Sequence, residues 1–167
     1  NGIAAGVPDP SVNVFTVDVP DEGRFWVATK VTDRGNNRWI YDYAIFNLNS
    51  HASGGSFAIP LALGVNPVAV GFHDVDYHSG EPYATADWDN AVTQATGTVT
   101  WATSTFANDP NANALRWGTL YNFRSDANVA PGTSSATIGL FRPGTPTSVA
   151  VTTVTPGVCG GAPNGTV

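Results

Sequence analysis

The stretch RWIYDYAIFNL (38–48) decides the fold. Successive side chains of an extended chain point to opposite sides, so alternate residues share a face. One face of this stretch carries Trp39, Tyr41 and Tyr43, and the other face also holds an aromatic residue, Phe46. Apolar side chains on both faces are typical of a strand that is covered on both sides. The stretch therefore predicts a central β-strand.

Eight further runs consist of alternating or β-branched residues in the same way. They lie at 12–19, 24–33, 56–63, 68–77, 97–103, 115–125, 135–141 and 147–155. The segments between them contain Gly, Pro or Asn, which favour turns. No window has the apolar spacing of a helix. The pattern predicts an all-β fold: an antiparallel two-sheet β-sandwich, jelly-roll-like, with about eight to nine strands. A closed barrel is the alternative.

The length of 167 residues suits one domain with a single core. We expect an N-terminal arm and first strand at 1–19, a sandwich domain at 20–155, and a flexible Gly/Pro-rich tail at 156–167. The opening residues NGIAAGVPDP are typical of a mature chain after removal of a signal peptide, although a trimmed chain would begin in the same way. We therefore expect a secreted, extracellular protein.

Charged residues make up only 12% of the chain, about half of their usual share. Lys30 is the only lysine, and the net charge is −6. Thr, Ser, Asn and Gly take the place of charges, which is common among secreted β-sandwiches. The scattered arginines form no basic stretch for phosphates, so the sequence argues against nucleic-acid binding. No apolar run reaches the roughly 18 residues of a membrane-spanning helix.

Two residues near the C-terminal end could carry covalent chemistry. Cys159 is the only cysteine, so it cannot form a disulfide within the chain and is either free or bonded to another chain. Asn164 lies in the only glycan sequon, NGT, and is the glycosylation candidate.

The stretch GFHDVDYHSGEPY (71–83) is the densest in groups that bind metals or move protons. If the strand at 68–77 is regular, Asp74, Asp76 and His78 share one face and could hold one ion. Oxygen ligands favour Ca²⁺, and the histidine favours a transition metal. The alternative is a strand that ends in a turn, with the aspartates bonded to backbone amides.

The sequence contains no recognisable catalytic motif. Its only glutamates, Glu22 and Glu81, sit in turn-like contexts, although a glycosidase needs two carboxyl groups that face each other. Asp42 lies within an aromatic strand, where we expect Arg38 or Arg116 to neutralise it. We therefore expect that the protein is not an enzyme and needs no cofactor.

Five tryptophans in a small domain raise the possibility of sugar binding. Four of them fall within predicted strands, where packing in the core is the simpler expectation: Trp26, Trp39, Trp101 and Trp117. Trp88 lies between two aspartates in TADWDN, a predicted loop, and is the best candidate for an exposed glycan-binding residue. A carbohydrate-binding, lectin-like module is therefore one candidate function.

Three segments together resemble a family of secreted bacterial proteins of unknown function, which we associate with planctomycetes and other environmental bacteria. The most specific is the block ALRWGTLYNFR, which lies within 111–151. The stretches WIYDYAIFNLNS (39–50) and GFHDVDYHSGEPY resemble further landmarks of the same proteins. The resemblance implies secretion and a β-sandwich, and it implies no catalytic residues.

The segments near both ends are extended and β-prone. The run 147–155 could leave its own sandwich and complete the sheet of a neighbour, with Val149, Val151 and Val154 as its assembly residues. A head-to-tail contact of this kind propagates as a filament. The leading hypothesis is therefore a fibre-forming, self-associating subunit; the N-terminal arm is the alternative donor, and an ordinary monomer is the simplest alternative.

Overall fold

The computed structural model describes residues 9–62, 64–65, 67, 69–76 and 80–157, which form ten β-strands in two sheets. Sheet A contains, in spatial order, β1 (Val12–Val19), β2 (Gly23–Gly35), β3 (Arg38–Asn47), β8 (Leu120–Ala127) and β5 (Val70–His73). Sheet B contains β10 (Ser148–Pro156), β9 (Pro131–Leu140), β4 (Gly54–Pro60), β7 (Thr98–Ala102) and β6 (Asp89–Thr93). Neighbouring strands are antiparallel, which confirms the predicted two-sheet β-sandwich.

The chain crosses repeatedly between the sheets after β3. It enters sheet B with β4, returns to sheet A with β5, and enters sheet B again with β6 and β7. The next strand, β8, lies between β3 and β5, whereas β7 lies between β4 and β6. The returning strands therefore pair with the outgoing strands in nested order, β3 with β8 and β4 with β7, which is jelly-roll-like.

An aromatic core fills the space between the sheets. Tyr43 from sheet A and Phe57 and Trp101 from sheet B are each at most 1% exposed. The ring of Phe57 lies 5.4 Å from Tyr43, 5.8 Å from Trp101 and 5.1 Å from Phe123, measured between centroids. These distances are favourable for aromatic pairs. The inner face of β3 thus carries Tyr41, Tyr43 and Ile45, whereas its other face, which was also expected to be covered, is only half-buried and lies on the outside of sheet A.

The two edges of the sandwich differ in length. The outermost strands β1 and β10 pack against each other at one edge, and they contain 8 and 9 residues. The opposite edge consists of β5 and β6, with only 4 and 5 residues. Short edge strands limit pairing with other chains. The edge formed by β1 and β10 therefore offers the longer backbone for such pairing.

The differences from the sequence prediction that matter for the site concern β5, β6 and β8. β6 was not predicted because every residue of DNAVT is exposed, so it has no apolar face. β5 ends at His73 and does not continue to residue 77. β8 begins at Leu120, because Trp117 and Gly118 form a turn in which Gly118 has a φ of 77°. Positive φ values are readily adopted by glycine.

The predicted domain bounds apply only in part to the described residues. β10 continues to Pro156, the first residue of the predicted tail. Residues 1–8 of the predicted arm and 158–167 of the predicted tail lie outside the described residues. Within the described part of the chain, no helix has the length and apolar character that a membrane crossing requires.

Candidate functional site

The charged cluster at 71–83 does not lie on one strand. β5 ends at His73, and the half-buried Asp74 and exposed Asp76 follow outside any strand. The expected regular strand over 68–77 is therefore wrong, whereas the metal site of Asp74, Asp76 and His78 stays a prediction, because His78 lies outside the described residues. Among the residues that are described, no three His, Cys, Asp or Glu side chains gather as possible metal ligands.

Asp74 is bound to a buried asparagine. The side-chain amide of Asn113 donates to the Asp74 carboxylate and, at 2.9 Å, to the carbonyl of Ala86. Its amide oxygen accepts the Tyr121 hydroxyl at 2.6 Å, and its backbone carbonyl accepts the indole N–H of Trp88. Burial raises the pKa of Tyr121, and the charge of Asp74 adds to this effect, so the hydroxyl remains a donor. Asp74 thus stabilises the fold through a distant side chain.

Trp88 is buried, so the prediction that it is an exposed glycan-binding residue is wrong. It is only 3% exposed. Its ring stacks on Phe72 with 5.5 Å between centroids and also contacts Tyr121 and Phe123. The flanking aspartates indicated a solvent-exposed loop, but the chain turns inward at Trp88 before β6 begins.

Two other tryptophans are exposed. Trp117 is 69% exposed in the turn before β8, and Trp26 is 46% exposed on the outer face of sheet A. Trp26 alternates along β2 with Phe25 and Val27, which are fully buried. The sequence could have indicated that Trp26 is exposed. Lys30 falls on the same face of the strand, and a lysine indicates that this face contacts solvent.

The outer face of sheet A contains a groove with a volume of about 580 Å³, called here the sheet A groove. Its floor includes three small residues, Ala28, Ala44 and Gly71. Ala28 and Ala44 are cross-strand neighbours on β2 and β3, and Ala44 pairs in turn with Asn122 of β8. The small side chains leave a depression between taller neighbours.

Asp42 lies on the outer face of sheet A at this groove. The Arg124 Nε donates to the Asp42 Oδ1 at 2.5 Å, and this hydrogen bond raises the pKa of Arg124. The expected partners are engaged elsewhere: Arg38 pairs with Asp126, and the buried Arg116 donates to backbone carbonyls. Asp42 is therefore paired as expected, but with a residue of the adjacent strand.

The residues predicted to form an assembly strand lie on β10. Val149 and Val151 point into the core, and Thr153 and Thr155 continue the same inner row with no exposed surface. Val154 occupies the alternate position and is half-buried. In this structure β10 pairs over its whole length with β9 of the same chain.

Two buried hydrogen bonds also connect β10 to sheet A. The hydroxyl oxygens of Thr29 and Thr153 are 2.7 Å apart, and the Tyr43 hydroxyl donates to the carbonyl of Val154 at 2.9 Å. Burial raises the pKa of Tyr43, so its hydroxyl stays protonated and can donate. β10 is thus an edge strand whose inner face belongs fully to the core.

Two sequence-predicted residues, Cys159 and Asn164, lie outside the described residues. The chain matches no protein-family model, and no curated protein matches it either. The resemblance to secreted bacterial proteins therefore stays a prediction.

Proposed function

We propose that this protein is an extracellular structural subunit, without enzymatic activity, that polymerises into a filament by exchanging β10 between neighbouring sandwiches. The observation that carries the proposal is that β10 lies at a sheet edge, yet its inner row is buried. An edge strand can be supplied by another chain, because its hydrogen bonds involve only one neighbour.

The contacts of β10 do not depend on which copy supplies the strand. Pairing with β9, packing of Val149 and Val151, and the hydrogen bond between Thr29 and Thr153 can all form with β10 of a second copy. Exchange therefore preserves the free energy of these contacts. The exchanged assembly differs from the monomer mainly in the entropy of association and in the conformation of the connecting segment.

The connecting segment FRPGTPT (141–147) is suited to opening. Two prolines fix their own φ at about −65° and disfavour helix in the preceding residue. At the base of the turn, the backbone N–H of Leu140 donates to the carbonyl of Thr147 at 2.9 Å. The N–H groups of Phe141 and Arg142 instead donate to the β3–β4 connection, at Ser53 and Ala52. Opening beyond Arg142 would leave these two anchors in place.

Exchange of one strand gives an open-ended contact. Each copy donates β10 and leaves its own site beside β9 for another copy, so donor and acceptor surfaces differ. Such head-to-tail contacts propagate unless the rotation between copies closes a ring.

Electron microscopy provides the first test. We expect fibres from the intact chain and none from a variant that lacks residues 147–167, because the deletion removes β10 and exposes the inner row of the core. Fibres from the truncated protein would overturn the assignment of β10. The N-terminal segment 1–19 would then be the next donor to examine.

A disulfide test identifies the donor in the intact sandwich. Ser135 of β9 and Thr152 of β10 are exposed cross-strand partners. In a Cys159→Ser background, Ser135→Cys protein is unfolded and refolded together with Thr152→Cys protein under oxidising conditions. A disulfide between these chains forms at this register only if β10 is exchanged, so we expect covalent dimers on a non-reducing gel.

The matched control uses two central strands. Ala44 of β3 and Asn122 of β8 are also cross-strand partners, but neither strand lies at an edge. A mixture of Ala44→Cys and Asn122→Cys proteins should give only the background level of dimers. Equal yields from the two mixtures would contradict strand exchange.

A further inference from the structure

The sheet A groove runs across the strands between two unlike ridges. On one side, the cross-strand row Trp26, Phe46 and Leu120 presents apolar surface, with Trp26 46% and Leu120 43% exposed. Residues two positions apart on a strand share a face and are separated by roughly 7 Å. This ridge therefore lies roughly 7 Å from the row of Ala28 and Ala44. These three residues do not line the groove itself; they form the next row out, beside its floor on β2, β3 and β8.

The opposite ridge is polar. Lys30, Asp42 and Arg124 are successive cross-strand partners on the same three strands, and all three line the groove. Arg124 is paired with Asp42 at 2.5 Å, and the Lys30 ammonium is paired with the Asp9 carboxylate at 3.0 Å. The ridge thus offers several hydrogen-bonding groups whose charges are balanced locally.

The groove extends toward the edge of sheet A that the short strand β5 forms. There it is lined by a small residue and by polar residues. Gly71 of β5 pairs with Arg124, and His73 of β5 pairs with Asn122; all of them line the groove. Val12 of β1 also lines the groove, which therefore reaches from β1 to β5, across four strand-to-strand gaps, or roughly 19 Å. This length fits an extended ligand better than a single small molecule.

We propose that the sheet A groove binds a neutral oligosaccharide that lies across the strands. A sugar ring has an apolar face of C–H groups and a rim of hydroxyl groups. The apolar face would rest against Trp26, because an exposed indole provides a flat apolar surface. The hydroxyl groups would bond to the polar ridge and to Asn122, which together supply both donors and acceptors.

The chemistry of the groove favours this ligand over other classes. A nucleic acid would need an excess of positive charge, whereas the arginine and the lysine of this groove each have an acidic partner. A lipid chain would need continuous apolar walls, and an added peptide strand would need a sheet edge, not a face. The site is separate from β10, so the proposal goes beyond the filament and does not depend on it.

The test uses an array of neutral and acidic oligosaccharides, followed by calorimetry with the strongest neutral binder. We expect the intact protein to bind neutral oligosaccharides, and Trp26→Ala to weaken binding by roughly tenfold or more, as for other exposed aromatic anchors. Trp117→Ala is the matched control, because Trp117 is 69% exposed in the turn before β8 and does not belong to the row of Trp26, Phe46 and Leu120. It should keep the affinity of the intact protein.

A second variant tests the groove without removing a tryptophan. Ala44→Phe fills the floor from the solvent side and should abolish binding, whereas Ala150→Phe on the exposed face of β10 should not. Folding of each variant is checked by its thermal unfolding. The proposal is overturned if the intact protein binds no neutral oligosaccharide on the array, or if the two phenylalanine variants bind it equally.

Discussion

The hydroxyl oxygens of Thr29 and Thr153 lie 2.7 Å apart in the interior, although 124 positions separate these residues in the sequence. Neither side chain has exposed surface. Each hydroxyl can donate or accept, so one of them donates to the other and each has a partner without water. The contact joins β2 of sheet A to β10 of sheet B. This hydrogen bond can therefore form only when a β10 strand is packed against sheet A.

Replacing Thr153 by valine should destabilise the protein by about 1–3 kcal/mol, because the Thr29 hydroxyl is left buried without its partner. The double variant Thr29→Val/Thr153→Val should recover most of this loss, since both hydroxyl groups are then absent. Chemical denaturation of the four proteins in this cycle measures the coupling between the residues. Additive effects of the two substitutions would contradict the hydrogen bond.

Replacing Phe57 by alanine should destabilise the protein by about 3–5 kcal/mol, because the change opens a cavity in a fully buried aromatic cluster. Leu120→Ala is the matched control on the outer face of sheet A, and its effect should stay within about 0.5 kcal/mol. The free energy of unfolding in urea measures both effects. Equal effects would mean that the two sheets do not face each other through Phe57.

Replacing Trp88 by alanine should lower stability by about 3–5 kcal/mol, because its ring packs on Phe72, Tyr121 and Phe123. The substitution also removes the indole N–H that donates to Asn113. Trp117→Ala should change stability little, since Trp117 is exposed. Thermal unfolding of the two variants separates these roles. A neutral Trp88→Ala would mean that Trp88 is exposed after all.

Asp9 should titrate well below the usual range. Hydrogen bonds from the hydroxyl and the backbone N–H of Ser11, and then from Lys30, lower its pKa from 3.8 to about 2. Because the folded pKa is depressed, the stabilisation from this carboxylate is present above pH 4 and is lost as the pH falls toward 2. NMR titration of the carboxyl carbon measures the midpoint.

Each substitution at this site should raise the pKa of Asp9 by an amount that depends on how strongly the hydrogen bond it removes had lowered that pKa. Ser11→Ala should raise the pKa of Asp9 more than Lys30→Ala does, since the Ser11 hydroxyl is the largest cause of the shift. Asp18, whose pKa is lowered by Arg24, serves as the internal control and should not respond to either substitution. A larger shift in Lys30→Ala would assign the effect to charge.

Local patterns were sufficient for most of the strands. Alternation along 38–48 depends only on the chirality and pleat of the chain, and it identified β3 correctly as a central strand of its sheet. The same rule places Val149 and Val151 on one face of β10 and Val154 on the other, as the structure has them. The rule failed for β6, which has no apolar face, and beyond His73, where the alternating residues leave the strand.

The candidate sites depended on partners that are distant in the sequence. Trp88 and Asp74 occupy polar local contexts, but Asn113, far along the chain, bonds to both of them and holds them at the core. The sheet A groove could not be predicted either, because its floor of Ala28 and Ala44 exists only when β2 and β3 pair in one register.

By itself, therefore, the sequence determined that the chain is all-β, because alternation and turn residues act over a few positions, and the structure decided for two sheets over a closed barrel. Only the tertiary structure decided which tryptophans meet solvent, that Asp74 faces Asn113, and that Thr153 meets Thr29. The physical reason is that burial and hydrogen-bond partners depend on strand order and register. In a jelly-roll-like fold, strand order and register bring together residues that the sequence keeps far apart.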